Sequence, residues 1–547
     1  GLAFFSEICY DCMLKTGSLD DKKFRKLTRN TLFLAEIYPR STRPKVNFRK
    51  IKISQTEFPK FFITQLSRIK IMQKTLSNLN ISSDTIGAIF VIIFASFFIV
   101  ANLTFGFVWP LFILAMAVGF FISLFQPRAG VLAIIFLTMV WERFFTLQTF
   151  FIGKVEYKIY PLDVLMIGII LGIFWQFFSG RMQKVTLHKV DYFLLAFMVI
   201  NAIYFLASII LNSDTALAFS TFKNYAFYSL FYFIILFLIR TKDDLWRIFK
   251  FFLAGGAAII IFIILGLVRG EGLWSQFTPL STSGVRLLAF THGLYISLAL
   301  MPAILYSVFA KNPNRWVHIL IAVWIVGIVG TLMRHMWIAI LGVLVALFIF
   351  LPKENKRQLW KKIWLILIPI GVAALIFFYS AVMDPQSDFS RSMEKSFGIL
   401  SQRASSLASV AGDESFSWRS LVWESAYAEF KHNPILGIGT GHKIYVETIN
   451  YRDFVEIRNI HNSYLAILIQ LGLLGASIIF YFFYKLVKTL LRSRGDEKYE
   501  FYKFSVLSVL GIFILSIPFQ PYLETNLLAI FFWMSLGLAR IPPEMKS

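Results

Sequence analysis

Arginine and histidine residues at the ends of apolar runs are the features of this chain with chemical meaning. Arg334 and His335 interrupt TLMRHMWIAILG, Arg419 sits in SFSWRSLVWESAYAEFKHNP, and His461 with Asn462 opens HNSYLAILIQLGLLG. Arg286 and His292 stand at the start of another apolar run, and Glu142 with Arg143 closes an earlier one. A guanidinium keeps its charge at any relevant pH and grips a phosphate through two parallel hydrogen bonds. An imidazole titrates near neutrality and can take or give a proton. Ionisable groups at membrane depth are costly, so each is a functional-site hypothesis. Together these residues suit a lipid-linked phosphate or diphosphate whose head group reacts at the outer membrane surface.

Each position also has a plainer reading. Glu142 and Arg143 read equally as an interfacial ion pair, and Arg286 as a side chain snorkelling to headgroups. His335 fits an interfacial histidine, and Arg419 has Glu424 within pairing reach in sequence. Arg334 has no acidic neighbour in its tight apolar turn, and His461-Asn462-Ser463 is more polar than an ordinary span start. The sequence carries no metal constellation: no H-E-x-x-H, no D-x-D pair among the external loops, no Cys/His cluster. No Walker loop or kinase set is present, and no cofactor is expected. GIGTG at 437–441 resembles a fragment of a dinucleotide loop but follows no strand. It reads as a flexible turn whose backbone path needs glycine.

Composition decides what kind of solvent surrounds these residues. Of 547 residues, 57% are hydrophobic and 16% charged, with 60 Phe, 21 Tyr and 13 Trp. Average soluble domains are ~45–50% apolar and ~25% charged. A mean hydropathy of +0.68 excludes an ordinary cytosolic enzyme, a disordered chain and a secreted disulfide scaffold. The formal charge of +23 is then explained by basic cytoplasmic loops meeting anionic lipid rather than by nucleic acid. Cys9 and Cys12 are too few for a disulfide framework, and a lone C-x-x-C reads as incidental. The GLAFF start lacks a basic flank and meets Glu7, so no cleavable signal peptide is expected.

A span needs ~20 predominantly apolar residues. Fourteen runs qualify, near 86–102, 104–125, 129–147, 161–179, 191–211, 224–239, 249–268, 288–310, 316–333, 336–351, 363–382, 461–484, 504–518 and 524–540. With the N-terminal arm inside, the inside loops are 126–128, 180–190, 240–248, 311–315, 352–362 and 485–503, and five of the six are plainly basic. Outside loops such as 212–223 and 519–523 carry almost no Lys or Arg. Charge asymmetry and span count agree on cytoplasmic N and C termini. The expected fold is an all-α polytopic membrane protein with about 12–14 transmembrane helices and one long external loop carrying a helix.

Four regions follow: a basic cytoplasmic arm over 1–84 with 16 Lys+Arg, transmembrane helices over 85–382, an external loop over 383–460, and transmembrane helices over 461–547. The loop is nearly neutral, with 8 Lys+Arg against 10 Asp+Glu. Long structured loops in compact proteins are usually functional. Within it, Trp418, Leu421, Val422, Ala426, Tyr427 and Phe430 form a helical stripe, which Asn433-Pro434 ends. That helix is expected to rest on the membrane or cap a cavity. No internal repeat is visible.

The segment from about 315 to 480 resembles the O-antigen ligase and polysaccharide polymerase superfamily of bacterial membrane proteins. TLMRHMWIAILG resembles the family's Ser-Arg-Gly turn, with Arg334 at the arginine position. SWRSLVWESAYAEFKHNPILGIGTG resembles its loop segment running Arg, Trp, Asn/His-Pro and Gly-x-Gly, with Arg419 at the arginine. HNSYLAILIQLGLLG resembles its His-Asn-x-Tyr-Leu opening and Gly-Leu-Leu-Gly ending, with His461 at the histidine. Met333 and His335 replace the usual Ser and Gly, and His292 stands where Asn is common after the Arg286 segment.

The resemblance implies a metal-independent membrane glycosyltransferase of the bacterial plasma (inner) membrane, active at the external, periplasmic face. Its donor would be an undecaprenyl-diphosphate-linked glycan and its acceptor a hydroxyl on a glycan or lipid-linked molecule. Catalysis would fall to His461, Arg334 and Arg419, and substrate binding to Arg286, Arg143, Asn462 and His335. Ligase, polymerase and protein O-oligosaccharyltransferase activities share these motifs. The rival class is a lipid-linked oligosaccharide flippase, whose ionisable groups would lie nearer the midplane, often with internal repeats. A non-catalytic assembly protein with a degenerate site is a third reading.

Overall fold

The computed structural model describes residues 82–105, 108–141, 149–152, 155–158, 160–182, 185–269, 288–383, 414–447 and 452–541. The basic arm, Glu142, Arg143, Arg286 and residues 384–413 of the long loop lie outside them.

The chain is a succession of helices. It runs α1 (Ser83–Phe105), α2 (Trp109–Phe125), α3 (Pro127–Trp141), a hairpin of β1 (Thr149–Ile152) and β2 (Val155–Lys158), α4 (Pro161–Phe178) and α5 (Lys189–Ile210). There follow α6 (Thr215–Phe222), a π-helical turn (Lys223–Phe227), α7 (Leu230–Leu238), α8 (Lys242–Arg269), α9 (Phe290–Phe309), α10 (Arg315–Gly330), α11 (Arg334–Phe350) and α12 (Lys353–Met383). After α13 (Glu414–His432) come β3 (Lys443–Glu447), β4 (Arg452–Glu456) and a 3-10 turn (Ile457–Ile460). Then follow α14 (Ser463–Arg492), α15 (Glu497–Ser516), a second 3-10 turn (Ile517–Phe519) and α16 (Asn526–Arg540). Among the described residues, eight segments are long and apolar enough to cross a membrane, and α2, α3, α10, α11 and α16 are shorter apolar helices.

The apolar residues divide between two environments. On α5, Val199, Ile203, Leu206 and Ile210 are exposed at helical spacing, as are Leu341, Val345 and Ile349 on α11. Exposed apolar stripes of this kind suit contact with lipid. By contrast α9 is buried almost all round, from Thr291 to Val308. It packs on α15, which also meets α11 and α16. The α2–α4 contact is close because Gly168 and Gly172 face the α2 backbone; a Cβ on Gly172 would stand 2.4 Å from the Leu124 oxygen.

Several boundaries differ from the sequence reading. The basic stretch 352–362 is not a loop, because α12 begins at Lys353 and α8 likewise begins at Lys242. Basic residues at the ends of spans can remain helical while their head groups reach water. Residues 215–222, expected in a loop, are helical and continue through the π turn into α7. The two hairpins were not foreseen. In the second, Lys443 pairs with Glu456 and Glu447 with Arg452. The burial pattern of β3 alternates, with Ile444 and Val446 facing inward.

The helix expected in the long loop is α13, but its buried face is narrower than the stripe predicted. Val422 and Ala426 are fully buried, whereas Leu421 is 40% and Tyr427 50% exposed. Val422 and Ala426 pack with Ile444, Val446, Val455, Ile457 and Ile460, and with Ala466 and Ile469 of α14. This second core fixes α13 and the hairpin to the start of α14.

Candidate active site

His461 sits between two structures that hold its backbone. The 3-10 turn ends at Ile460, and Asn462 caps α14 by accepting a 3.1 Å bond from Leu465 N–H. Between them His461 adopts φ 55 and ψ 32, a left-handed conformation uncommon for any residue with a Cβ. Its Nδ1 lies 3.2 Å from Gln520 Oε1. With that oxygen as acceptor, Nδ1 carries the proton and Nε2 presents its lone pair. Burial holds the imidazole pKa below its ordinary value, the Arg419 charge lowers it further, and the Gln520 bond opposes both. The ring is therefore neutral at pH 7.

Arg419 arrives from α13. Trp423, one turn further on, donates through Nε1 to the Ile460 oxygen at 2.8 Å, which ties the helix to the residue preceding His461. The Arg419 charge acts on Tyr522 as well as on His461, although burial dominates and raises the Tyr522 pKa. Arg419 thus approaches the segment following α15.

Arg334 is the first residue of α11, after a turn in which Leu332 has φ 56. The next residue, His335, places Nε2 3.0 Å from the Tyr522 hydroxyl and stacks near Phe519 at 6.2 Å. The three motifs, spread over more than a hundred residues of sequence, therefore meet around one short segment, 519–524. The Arg334 turn reaches it through His335, Arg419 through its charge on Tyr522, and His461 through Gln520.

That segment carries no Lys or Arg. It supplies Gln520, Tyr522 and Glu524. Ser463 Oγ donates to Glu524 at 2.5 Å, and the Tyr225 hydroxyl donates to the other carboxyl oxygen. Asn224 donates to the Glu524 carbonyl oxygen at 2.9 Å. Burial raises the Glu524 pKa against the opposing effect of the two hydroxyl donors. Lys223, in the same π turn, contacts Asp163 at 2.5 Å, and Tyr228 donates to Asp163 at 2.8 Å. The sequence signal was a polar, proline-punctuated break (QPYLETN) between two apolar runs, and a lysine in FKNY.

Arg143 and Arg286 lie outside the described residues. The Asn462 side-chain oxygen is engaged in capping α14. His292 is fully buried on α9, with Nε2 3.2 Å from the Val140 oxygen and its ring stacked on Phe262 at 5.0 Å.

GIGTG is a docked segment rather than a flexible turn. Gly437, Gly439 and Gly441 all have positive φ, as the expected need for glycine required. Ile438 and Gly439 donate to the Ile469 and Gln470 oxygens at 2.8 and 3.0 Å, where α14 breaks its helical path at Gly472 (φ 61, ψ −169). Leu473 and Leu474 donate in return to the Pro434 and Ile435 oxygens. The loop segment around Gly-x-Gly and the residues flanking the first glycine of Gly-Leu-Leu-Gly thus satisfy each other's backbone.

These features define a polytopic, all-α membrane protein in which the segments bearing Arg334, Arg419 and His461 come together at one end of several helices. Residues 318–480 match the family model described as O-Antigen ligase. An O-antigen ligase of Salmonella typhimurium (strain LT2) is 27% identical over 344 residues, covering 55% of this chain and 80% of that protein. The central part of the chain is thus similar to O-antigen ligases, as its motifs suggested. This similarity supports a ligase-type role in surface polysaccharide biosynthesis.

Proposed function

We propose that this protein is a glycosyltransferase that moves a glycan from an undecaprenyl-diphosphate carrier to an acceptor hydroxyl at the outer face of the bacterial plasma membrane. The observation that carries the reading is the meeting of the Arg419 and His461 motifs with the Arg334 turn around residues 519–524. The domain order expected from sequence goes with it: a cytoplasmic arm, two sets of transmembrane helices and an external loop domain containing α13.

The leaving group is already a lipid diphosphate, so the main demand is to stabilise charge as the glycosidic bond breaks. Arg334 and Arg419 supply fixed positive charge, with Arg286 and Arg143 as further binding candidates. The positive charge comes from guanidiniums, and no metal ion is required in this scheme. His461, neutral with Nε2 available, accepts the proton of the incoming hydroxyl as oxygen attacks the anomeric carbon. Displacement in one step inverts that centre. The loop helix α13 covers the site and limits competition from water.

The test is reconstitution of the full chain in vesicles with an undecaprenyl-diphosphate glycan and candidate acceptors, without ATP and with a chelator. Glycan joined to a lipid or core-sugar acceptor is expected for a ligase. Elongated glycan would make the protein a polymerase, and a glycosylated polypeptide a protein O-oligosaccharyltransferase. Translocation of intact donor without transfer would overturn the enzymatic reading. His461→Ala should abolish transfer while insertion into the membrane is unchanged.

A further inference from the structure

At the other end of α15, about 30 Å from the segment that follows its last turn, a cavity of about 670 Å³ opens between α8, α9, α15 and α16. Its walls are aromatic, with Trp246, Phe249, Tyr306, Phe501 and Phe531 among them. From Glu497 at its mouth to Val509 at its inner end it follows α15 for about 18 Å. The volume lies within the range of small-molecule sites, ~300–1,000 Å³. The mouth carries both signs of charge: Lys242, Lys311 and Lys498 stand with Asp243, Asp496 and Glu497. Lys242 is 3.9 Å from Asp496 across it. Ser505 lies in the wall, buried, and its hydroxyl has no hydrogen-bond partner among the described residues.

We infer that this cavity binds one phospholipid whose head group carries both a phosphate and a primary ammonium, such as a phosphatidylethanolamine. An acyl chain fits the depth and the apolar aromatic walls, because burying it removes apolar surface from water. The lysines meet the phosphate and the carboxylates meet the ammonium, each through charge-assisted hydrogen bonds. An ester carbonyl at the glycerol gives the Ser505 hydroxyl its missing partner. A purely anionic head group would leave three carboxylates facing negative charge. The site is separate from the one proposed for glycan transfer, since the two occupy opposite ends of α15.

Native mass spectrometry of the detergent-purified full chain, with dioleoyl-phosphatidylethanolamine, -phosphatidylglycerol or -phosphatidylcholine added back, tests this. One phosphatidylethanolamine per chain is expected, retained in preference to the other two. Equal or better retention of phosphatidylglycerol or phosphatidylcholine would overturn the proposal. Ser505→Phe, which fills the cavity, should abolish retention, and Ser505→Ala should weaken it about fivefold. Should Ser505→Phe fail to fold, the exposed pair Lys311→Glu and Lys498→Glu decides: binding about tenfold weaker is expected, and unchanged binding would exclude the site.

Discussion

At His461 the backbone is left-handed, and the ring is placed by the turn before it and the helix cap after it. A residue held this way projects in one direction, which suits a base that must meet an incoming hydroxyl. Because its pKa lies below the ordinary histidine value, the ring is already neutral near pH 7. Transfer should therefore be flat through neutrality and fall only in acid, at a pH below the ordinary histidine value. Arg419→Gln removes a cation that lowers this pKa, so the acid limb should move to higher pH while the rate drops. Gln520→Leu removes the bond that raises it, so the limb should move to lower pH. Measured pH profiles of kcat/KM that coincide in all three proteins would show that His461 is not the titrating base. Arg334→Lys keeps the charge and loses the planar fork, and should reduce transfer roughly a hundredfold; an active lysine variant would mean that a point charge suffices there.

Between elements, the decisive contact is the docking of 434–439 onto the break in α14. A Cβ on Gly472 would lie 2.2 Å from the Ile435 oxygen, at a φ of +61 that L residues rarely adopt. Gly472→Ala should destabilise the protein by about 2–4 kcal/mol and detach the loop that carries Arg419. Gly371→Ala, on α12 with nothing within 4 Å of the added carbon, is the control and should be neutral or slightly stabilising. Thermal melts of both variants in detergent provide the comparison. Equal melting temperatures would mean that the docked glycines do not hold the loop.

Across the whole molecule, lipid gives helices little hydrophobic reason to associate, so close packing and polar links hold the bundle. Here the links form a series of clusters. Ser463, Glu524, Tyr225 and Asn224 join α14 to the π turn, and Trp533 of α16 donates to the Asn224 oxygen at 3.0 Å. Lys223, Asp163 and Tyr228 join that turn to α4. Further along, Asp191 of α5 accepts from Tyr232 and from Arg540 at 3.2 Å. Asp163→Leu alone strands a buried ammonium and should cost about 3–5 kcal/mol, whereas Asp163→Leu with Lys223→Met should recover most of it. A double variant as unstable as the single one, measured by thermal unfolding, would show that the pair does more than neutralise itself.

The sequence by itself determined the membrane class and the helical architecture, and it pointed to the three motif residues. Lipid imposes long apolar runs, and a guanidinium or imidazole at their ends stands out against them. It also located α13 and its end at Asn433-Pro434, since helical periodicity and proline act locally. Tertiary structure alone decided that Gln520, Tyr522 and Glu524 form the floor on which those motifs meet. Their roles depend on partners as much as 300 residues away, as between Asn224 and Glu524, and a short polar break has no periodicity to announce it. The same holds for Gly437 and Gly472: each glycine reads locally as a turn or a weak point. Only the folded chain shows the two backbones so close that a Cβ on Gly437 would stand 2.5 Å from the Gly472 nitrogen.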